Sequence, residues 1–239
     1  MEKRSKMKRL ILILLLFFAS PVGAADYYVD TTCTDTNPAS ATVDGTAYDP
    51  TGPACTGGAD SYYVTIADLN AKSFSAGDNI YLRKGQTIVG DWTMNDSGSN
   101  GSPITITSFG SGNRPIIDGN AAASGNCIDL GSADWVDVGG LRLTNADGTN
   151  FRMQGGCDNI NIDDMEIDNS VQAHGIYYIG DDLLVSNSTI HDNGAGGSDH
   201  GIYVDNSAAI TTNVTIEYNT FYNNDENLPS APSLATWTH

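Results

Sequence analysis

Four segments of the chain repeat one apolar spacing. Val136, Val138 and Leu143 form the first set, and Ile160, Ile162 and Ile167 the second. Leu183, Val185 and Ile190 follow, then Val214, Ile216 and Phe221. In each set the apolar residues sit at relative positions 0, 2 and 7, and the middle positions recur after 24, 23 and 31 residues. A shorter apolar–polar–apolar triplet precedes each set: Ile128-Asp129-Leu130, Phe151-Arg152-Met153, Ile176-Tyr177-Tyr178 and Ile202-Tyr203-Val204. Period-2 alternation marks strands with one buried face. Three short strands per period of about 23 residues describe one coil of a parallel β-helix, in which equivalent residues stack in columns.

Other repeat folds fit less well. A leucine-rich solenoid would place Leu at its fixed motif positions, and a β-sandwich would not repeat at this period. Asn, Asp and Gly between the strands tolerate turn geometry. Asp164 and Asn187 occupy the short turn between second and third strands, while Asn145, Asn169 and Asn193 or Asn223 mark the end of the third. Stacked Asn side chains can satisfy turn backbone groups from coil to coil. The Gly/Ser/Ala/Thr-rich stretches 193–199 and 207–213 account for the longer 31-residue step as excursions from the coil.

The first 25 residues have a different character. Lys3, Arg4, Lys6, Lys8 and Arg9 precede the unbroken apolar run Leu10 to Ala19, and small residues follow at 22–24. That is the order of a secretory signal peptide. Ten helical residues rise only about 15 Å, too short for a hydrocarbon core of roughly 30 Å. Stable membrane insertion after cleavage is therefore not expected, and the destination is outside the cell, at its surface or in a periplasm. Residues 26–100 read as an N-terminal cap with the first strands, 101–224 as the coils, and 225–239 as an irregular end. Within the cap, Thr65 is expected to cap a short helix through Leu69, with Asp68 at the third helical position as an imperfect capping box. Past Phe221 the repeat stops without an amphipathic end strand, so the solenoid reads as incomplete.

The whole chain carries a formal net charge of −18, and without its basic leader it holds 6 Lys/Arg against 28 Asp/Glu. Such a surface repels nucleic acid. Export permits disulfides, and Cys33 and Cys55 bracket one Gly/Pro/Asp-rich stretch as a candidate pair. Cys127 and Cys157 lie either side of a predicted strand, which leaves their pairing open.

YYVD at 27–30, TIADLN at 65–70, AGDNIYLRKGQ at 76–86, GSPITI at 101–106 and FGSGNRPIIDG at 109–119 resemble the N-terminal part of bacterial right-handed β-helix proteins. These belong to the broad pectate-lyase-like superfamily. HGIYYI at 174–179 and HGIYVDN at 200–206 are similar to its recurring first-strand motif, and NVTIEYNTF at 213–221 to its second-to-third-strand turn. The resemblance implies an all-β, right-handed parallel β-helix. For activity it is less specific, because the superfamily includes lyases, epimerases, hydrolases and non-catalytic surface proteins.

Aligning the triplets puts Asp129, Arg152, Tyr177 and Tyr203 in one outward column, with a rung spacing of about 4.8 Å. The resemblance implies a polysaccharide groove on this face. Tyr177 and Tyr203 would stack on sugar rings, and Arg152 would pair with a uronate carboxylate. His174 or His200 would act as base in a lyase or epimerase reaction, with Arg152 stabilising the developing charge. The competing expectation is that both His-Gly pairs are repeating turns whose imidazoles bond to neighbouring coils. Hydrolysis ranks lower, since Arg152 stands where a second acid would follow Asp129. Asp192, Asp199 and Asp205 are candidate ligands for Ca²⁺, a hard cation that favours oxygen donors. The reading is a secreted protein that binds or modifies polysaccharide, with a non-catalytic surface or adhesion module as the alternative.

Overall fold

The computed structural model describes residues 23–36, 42–120, 125–196, 199–206, 211–225 and 236–238. Residues 1–22, most of the expected signal peptide, lie outside the described residues, as do parts of both predicted excursions and most of the C-terminal end. Apart from one short helix, the described secondary structure is all β. Short strands stack into three sheets, so that each turn of the chain contributes one strand to each.

The first sheet runs Trp92–Thr93, Ile128–Asp129, Phe151–Met153, Ile176–Tyr178 and Ile202–Val204. The second is ten-stranded and carries the four predicted sets, with Val136, Ile160, Leu183 and Val214 in direct register. Val138, Ile162, Val185 and Ile216 form its next column. The six-stranded third sheet aligns Leu143, Ile167, Ile190 and Phe221. Among the described strands all pairings are parallel except that of Gly45–Tyr48 with Asp60–Tyr63. The inward columns form one continuous core. Each fully buried aliphatic side chain contributes about 1.5–3 kcal/mol by leaving water.

Stacking begins inside the segment read as cap. Asp26–Val29 pairs with Asn79–Arg83, which pairs with Ile104–Phe109. The helix Ile66–Ala71 starts at Thr65, whose hydroxyl accepts from Asp68 N–H while the Asp68 carboxylate accepts from Thr65. Cys33 and Cys55 are joined. Cys127 and Cys157 are separate, buried thiols. At the far end Thr236–Thr238 adds another parallel rung beside Val214–Glu217. The second sheet therefore continues past the point where the sequence repeat fades.

Corners repeat as regularly as strands. After the third strand, Asn120, Asn145, Asn169, Asp192 and Asn223 all have φ between 53° and 62°. Asp192, rather than Asn193, takes this left-handed position, because Asn193 points inward. Before the second strand, Asn159, Asp182 and Asn213 are left-handed, and Trp135 joins them. Between second and third strands the series is Gly140, Asp164, Asn187 and Tyr218. Asn, Asp and Gly bear this conformation at least cost, whereas bulky side chains are strained in it.

Two ladders satisfy the polar groups between coils. Asp134 Oδ1 accepts the N–H of Asp158, Asp158 Oδ1 that of Asp181, and Asp181 Oδ1 that of Thr212, at 2.7–2.8 Å. Inside the wall, Asn150 Nδ2 donates to Asn193 Oδ1, and Asn193 Nδ2 to Asn224 Oδ1, both at 2.9 Å. Asn150 and Asn193 are completely buried.

Candidate functional site

The first sheet turns a polar column outward. Register pairs Asp129 with Arg152, Arg152 with Tyr177, and Tyr177 with Tyr203, which brings these four predicted residues onto one face. His174 and His200 flank it, each two residues before its first-sheet strand and each followed by glycine. The glycines have a steric reason. A Cβ on Gly175 would sit 2.6 Å from Gly201 O and 2.9 Å from Asn193 Nδ2, and one on Gly201 would sit 2.9 Å from Asn224 Nδ2. The His-Gly motif thus belongs to the buried asparagine ladder, and it places an imidazole at the same edge in successive coils.

The face is largely self-satisfied. Arg152 donates to Asp129 at 2.7 Å. Tyr177 donates its hydroxyl to Asp205 at 2.7 Å. Burial, reinforced by that bond, pushes the Tyr177 phenol up to about 12. His174 Nδ1 accepts the His200 backbone N–H at 3.0 Å, which assigns its own hydrogen to Nε2 in the neutral ring. Burial, then the neighbouring His200, holds His174 below the ordinary histidine value. His200 Nδ1 is buried and makes no hydrogen bond.

Ring geometry changes one expectation. Tyr177 and Tyr203 lie 5.6 Å apart, His174 and Tyr203 4.7 Å, and His200 and Tyr203 5.3 Å, all stacked with interplanar angles of 26° or less. His174 and His200 stack at 5.6 Å. Rung spacing is close to a comfortable aromatic stacking distance. The rings therefore cover one another's faces and present edges outward, so sugar stacking on the interior faces of this column does not fit.

The three proposed metal ligands do not gather. Asp205 accepts from Tyr177, Asp192 is bonded to His191 Nδ1 at 2.6 Å, and Asp199 accepts from Ala195 N–H. Among the described residues the close ligand sets are others. Asp30 with Cys33 and Cys55 is unsuitable because the sulfurs form the disulfide. Glu166, Asp168 and His191 form a second set, but Arg142 grips Asp168 through two bonds of 2.8 and 2.7 Å. Asp35, Asp44 and Asp68 in the cap bring carboxylate oxygens within 4.8 Å of one another, an all-oxygen set of the kind hard cations take.

The Glu166–His191 region was not singled out in the sequence. Its signal is the residue after each third-strand apolar position, which reads Thr144, Asp168, His191 and Tyr222 in register. His191 reaches Glu166 at 3.6 Å and stacks on Tyr222 at 4.5 Å.

No curated protein matches the sequence. Among solved structures, the native GH136 lacto-N-biosidase from Eubacterium ramulus is similar at 15% identity and a TM-score of 0.46, over 82% of this chain and 34% of that one. The chain thus spans about a third of that protein's length. An alginate lyase from Paenibacillus sp. str. FPU-7 is similar at 21% identity and a TM-score of 0.40, over 65% of this chain and 63% of that one. Among the described residues, no helix is long and apolar enough to cross a membrane. Residues 110–228 match the family model described as a right handed beta helix region, and with three stacked parallel sheets the coils of this chain form a right-handed parallel β-helix.

Proposed function

We propose that this protein is exported and binds polysaccharide along the outer face of the first sheet. The observation that carries the reading is the continuous column Asp129, Arg152, Tyr177 and Tyr203, edged by His174 and His200. A linear array repeating at rung spacing suits an extended polymer better than a small molecule. Hydroxyl-bearing ring edges and the half-exposed Arg152 offer hydrogen bonds to sugar hydroxyls. The Cys33–Cys55 bond supports export, because such bonds persist in oxidising compartments.

The enzymatic version is a lyase or epimerase acting on uronate-containing glycans. It needs a base beside the carboxylate and a charge to stabilise the enolate-like intermediate. Arg152 supplies that charge only by sharing it with Asp129, and His174 presents Nε2–H, a donor rather than a base. That arrangement favours the second reading, a non-catalytic binding module. Affinity electrophoresis of the full chain in gels containing neutral or uronate polymers tests binding. Retardation that is lost in Arg152→Ala and Tyr203→Ala is expected, and unchanged retardation in both moves the site elsewhere. Incubation with uronate polymers, with and without Ca²⁺, tests elimination through the ultraviolet absorbance of unsaturated chain ends. Absorbance gain on any polymer would establish the enzymatic version over the binding module.

A further inference from the structure

A separate cleft of about 450 Å³ opens at the corner that follows the third sheet. Its volume lies within the roughly 300–1,000 Å³ of small-molecule sites and far exceeds what one ion needs. Three successive left-handed corners, Asn145, Asn169 and Asp192, form one wall. Each of the two asparagines gives a side-chain N–H to a neighbouring carboxylate. Asn145 Nδ2 donates to Asp118 at 3.0 Å, and Asn169 Nδ2 to Asp168. The two side-chain amides and the Asp192 carboxylate, which is 41% exposed and bonded by His191 on one oxygen, bring oxygen acceptors to this wall. Asp192 keeps its charge, since the bond from His191, joined by one from Asn223 and outweighing its slight burial, holds its carboxyl below the usual value.

Val171 adds the second element. It lines the same cleft and is 37% exposed, an aliphatic surface set among amides and a carboxylate. Gly194 and Ala195 bring backbone close to the opening without bulk. Oxygen acceptors facing an apolar wall match a sugar ring, whose hydroxyls donate in its plane while its C–H face packs on aliphatic carbon.

We infer that this cleft is a binding site for one unit of a neutral sugar, its vicinal hydroxyls donating to Asp192 and Asn169 and its C–H face lying on Val171. Nearby Glu166, Asp168 and Asp192 carry more negative charge than Arg142 offsets, so a uronate is disfavoured here. The site is independent of the first-sheet face. It would hold a side branch or a second strand while the column runs along a main chain.

The test is amide NMR of the full chain during titration with neutral methyl glycosides and, separately, CaCl₂. Saturable shifts at Val171, Gly194 and Ala195 are expected with at least one glycoside. Val171→Ser and Asp192→Asn should each weaken binding by about fivefold or more, and filling the cleft by Ala195→Arg should abolish it. Amides of Gly201 and Tyr203 report the first-sheet face, so failure of one site is distinguished from failure of the other. No glycoside response at the cleft amides overturns the proposal. A response to Ca²⁺ alone also overturns it, since the acceptor wall would then be a cation site.

Discussion

Asn193→Ala tests whether the inner asparagine ladder holds the coils together. The Asn193 side chain is completely buried and takes part in five hydrogen bonds. Its Oδ1 accepts from Asn150 Nδ2 at 2.9 Å and Ser170 N–H at 3.1 Å. Its Nδ2 donates to Ile167 O, His191 O and Asn224 Oδ1. Truncation orphans the Ser170 amide and one N–H of Asn150. Each stranded buried donor costs about 1–3 kcal/mol, so the loss should be about 2–6 kcal/mol. With an m-value of about 2 kcal/mol/M the urea midpoint, followed by circular dichroism, falls by about 1 M or more. Asn193→Asp provides the sign check. Its carboxylate would face three acceptors where the amide donated, so its folded pKa lies above the unfolded value of about 3.9. The protonated form can donate, and its contribution to stability is fully present below the unfolded pKa and lost as pH rises through the folded one. Asn193→Asp should therefore be far less stable at neutral pH than at about pH 4, relative to the parent at each pH. An Asn193→Ala midpoint within about 0.2 M of the parent would refute the ladder's energetic role.

Tyr218 has φ 58° where the equivalent corners carry Gly140, Asp164 and Asn187, and it is 68% exposed. Tyr218→Asn should relieve about 1 kcal/mol of backbone strain, read as a rise in thermal midpoint. Burial alone would raise the Asp30 carboxyl, but hydrogen bonds from Thr32, Gln86 and Tyr48 outweigh it and bring the group down to about 2 from an ordinary 3.8. A depressed folded pKa means stability present above 3.8 and lost as pH falls toward 2. The cap should loosen in that window, and Asp30→Asn should flatten the pH dependence of tyrosine fluorescence there. Burial pushes the Cys127 and Cys157 thiols up to about 12. Neither should react with a disulfide reagent at pH 8 until denaturant is added, when both should.

Register was legible because an aliphatic column tolerates no slip. A one-residue shift at Ile162 would turn Ile160 and Ile162 out and bury Asn161 and Asp163. Every inward column read from spacing accordingly lies in register. Corner asparagines were legible for a related reason, since few other residues bear a positive φ. Asn193 was misplaced because asparagine suits both a left-handed corner and a buried ladder, and local sequence does not separate them. The polar face was legible as an alignment and not as a set of contacts. Arg152 was read as free for a uronate, yet the rung that aligns it with Tyr177 also sets it against Asp129. The Arg142–Asp168 pair was missed because its partners are 26 residues apart and occupy different positions along their strands.

Stacking at rung spacing has an electrostatic consequence for any glycan this surface meets. Parallel coils bring residues one period apart within reach of each other, so a lone arginine on the wall finds a carboxylate before it finds a ligand. Among the described residues all four arginines are ion-paired: Arg83 with Asp30, Arg114 with Asp164, Arg142 with Asp168 and Arg152 with Asp129. With a net charge of −18 on the chain, the outward field is acidic. Added salt screens repulsion as readily as attraction, with a Debye length of about 10 Å at 0.1 M. Binding of a uronate polymer should therefore strengthen as NaCl rises from low concentration, and more so with Ca²⁺, while binding of a neutral glycan stays nearly level. A site driven by exposed arginine would show the opposite slope. Measuring apparent affinity for one uronate and one neutral polymer across a NaCl series decides between them: a uronate affinity that falls with salt would mean that Arg152 leaves Asp129 to meet the ligand.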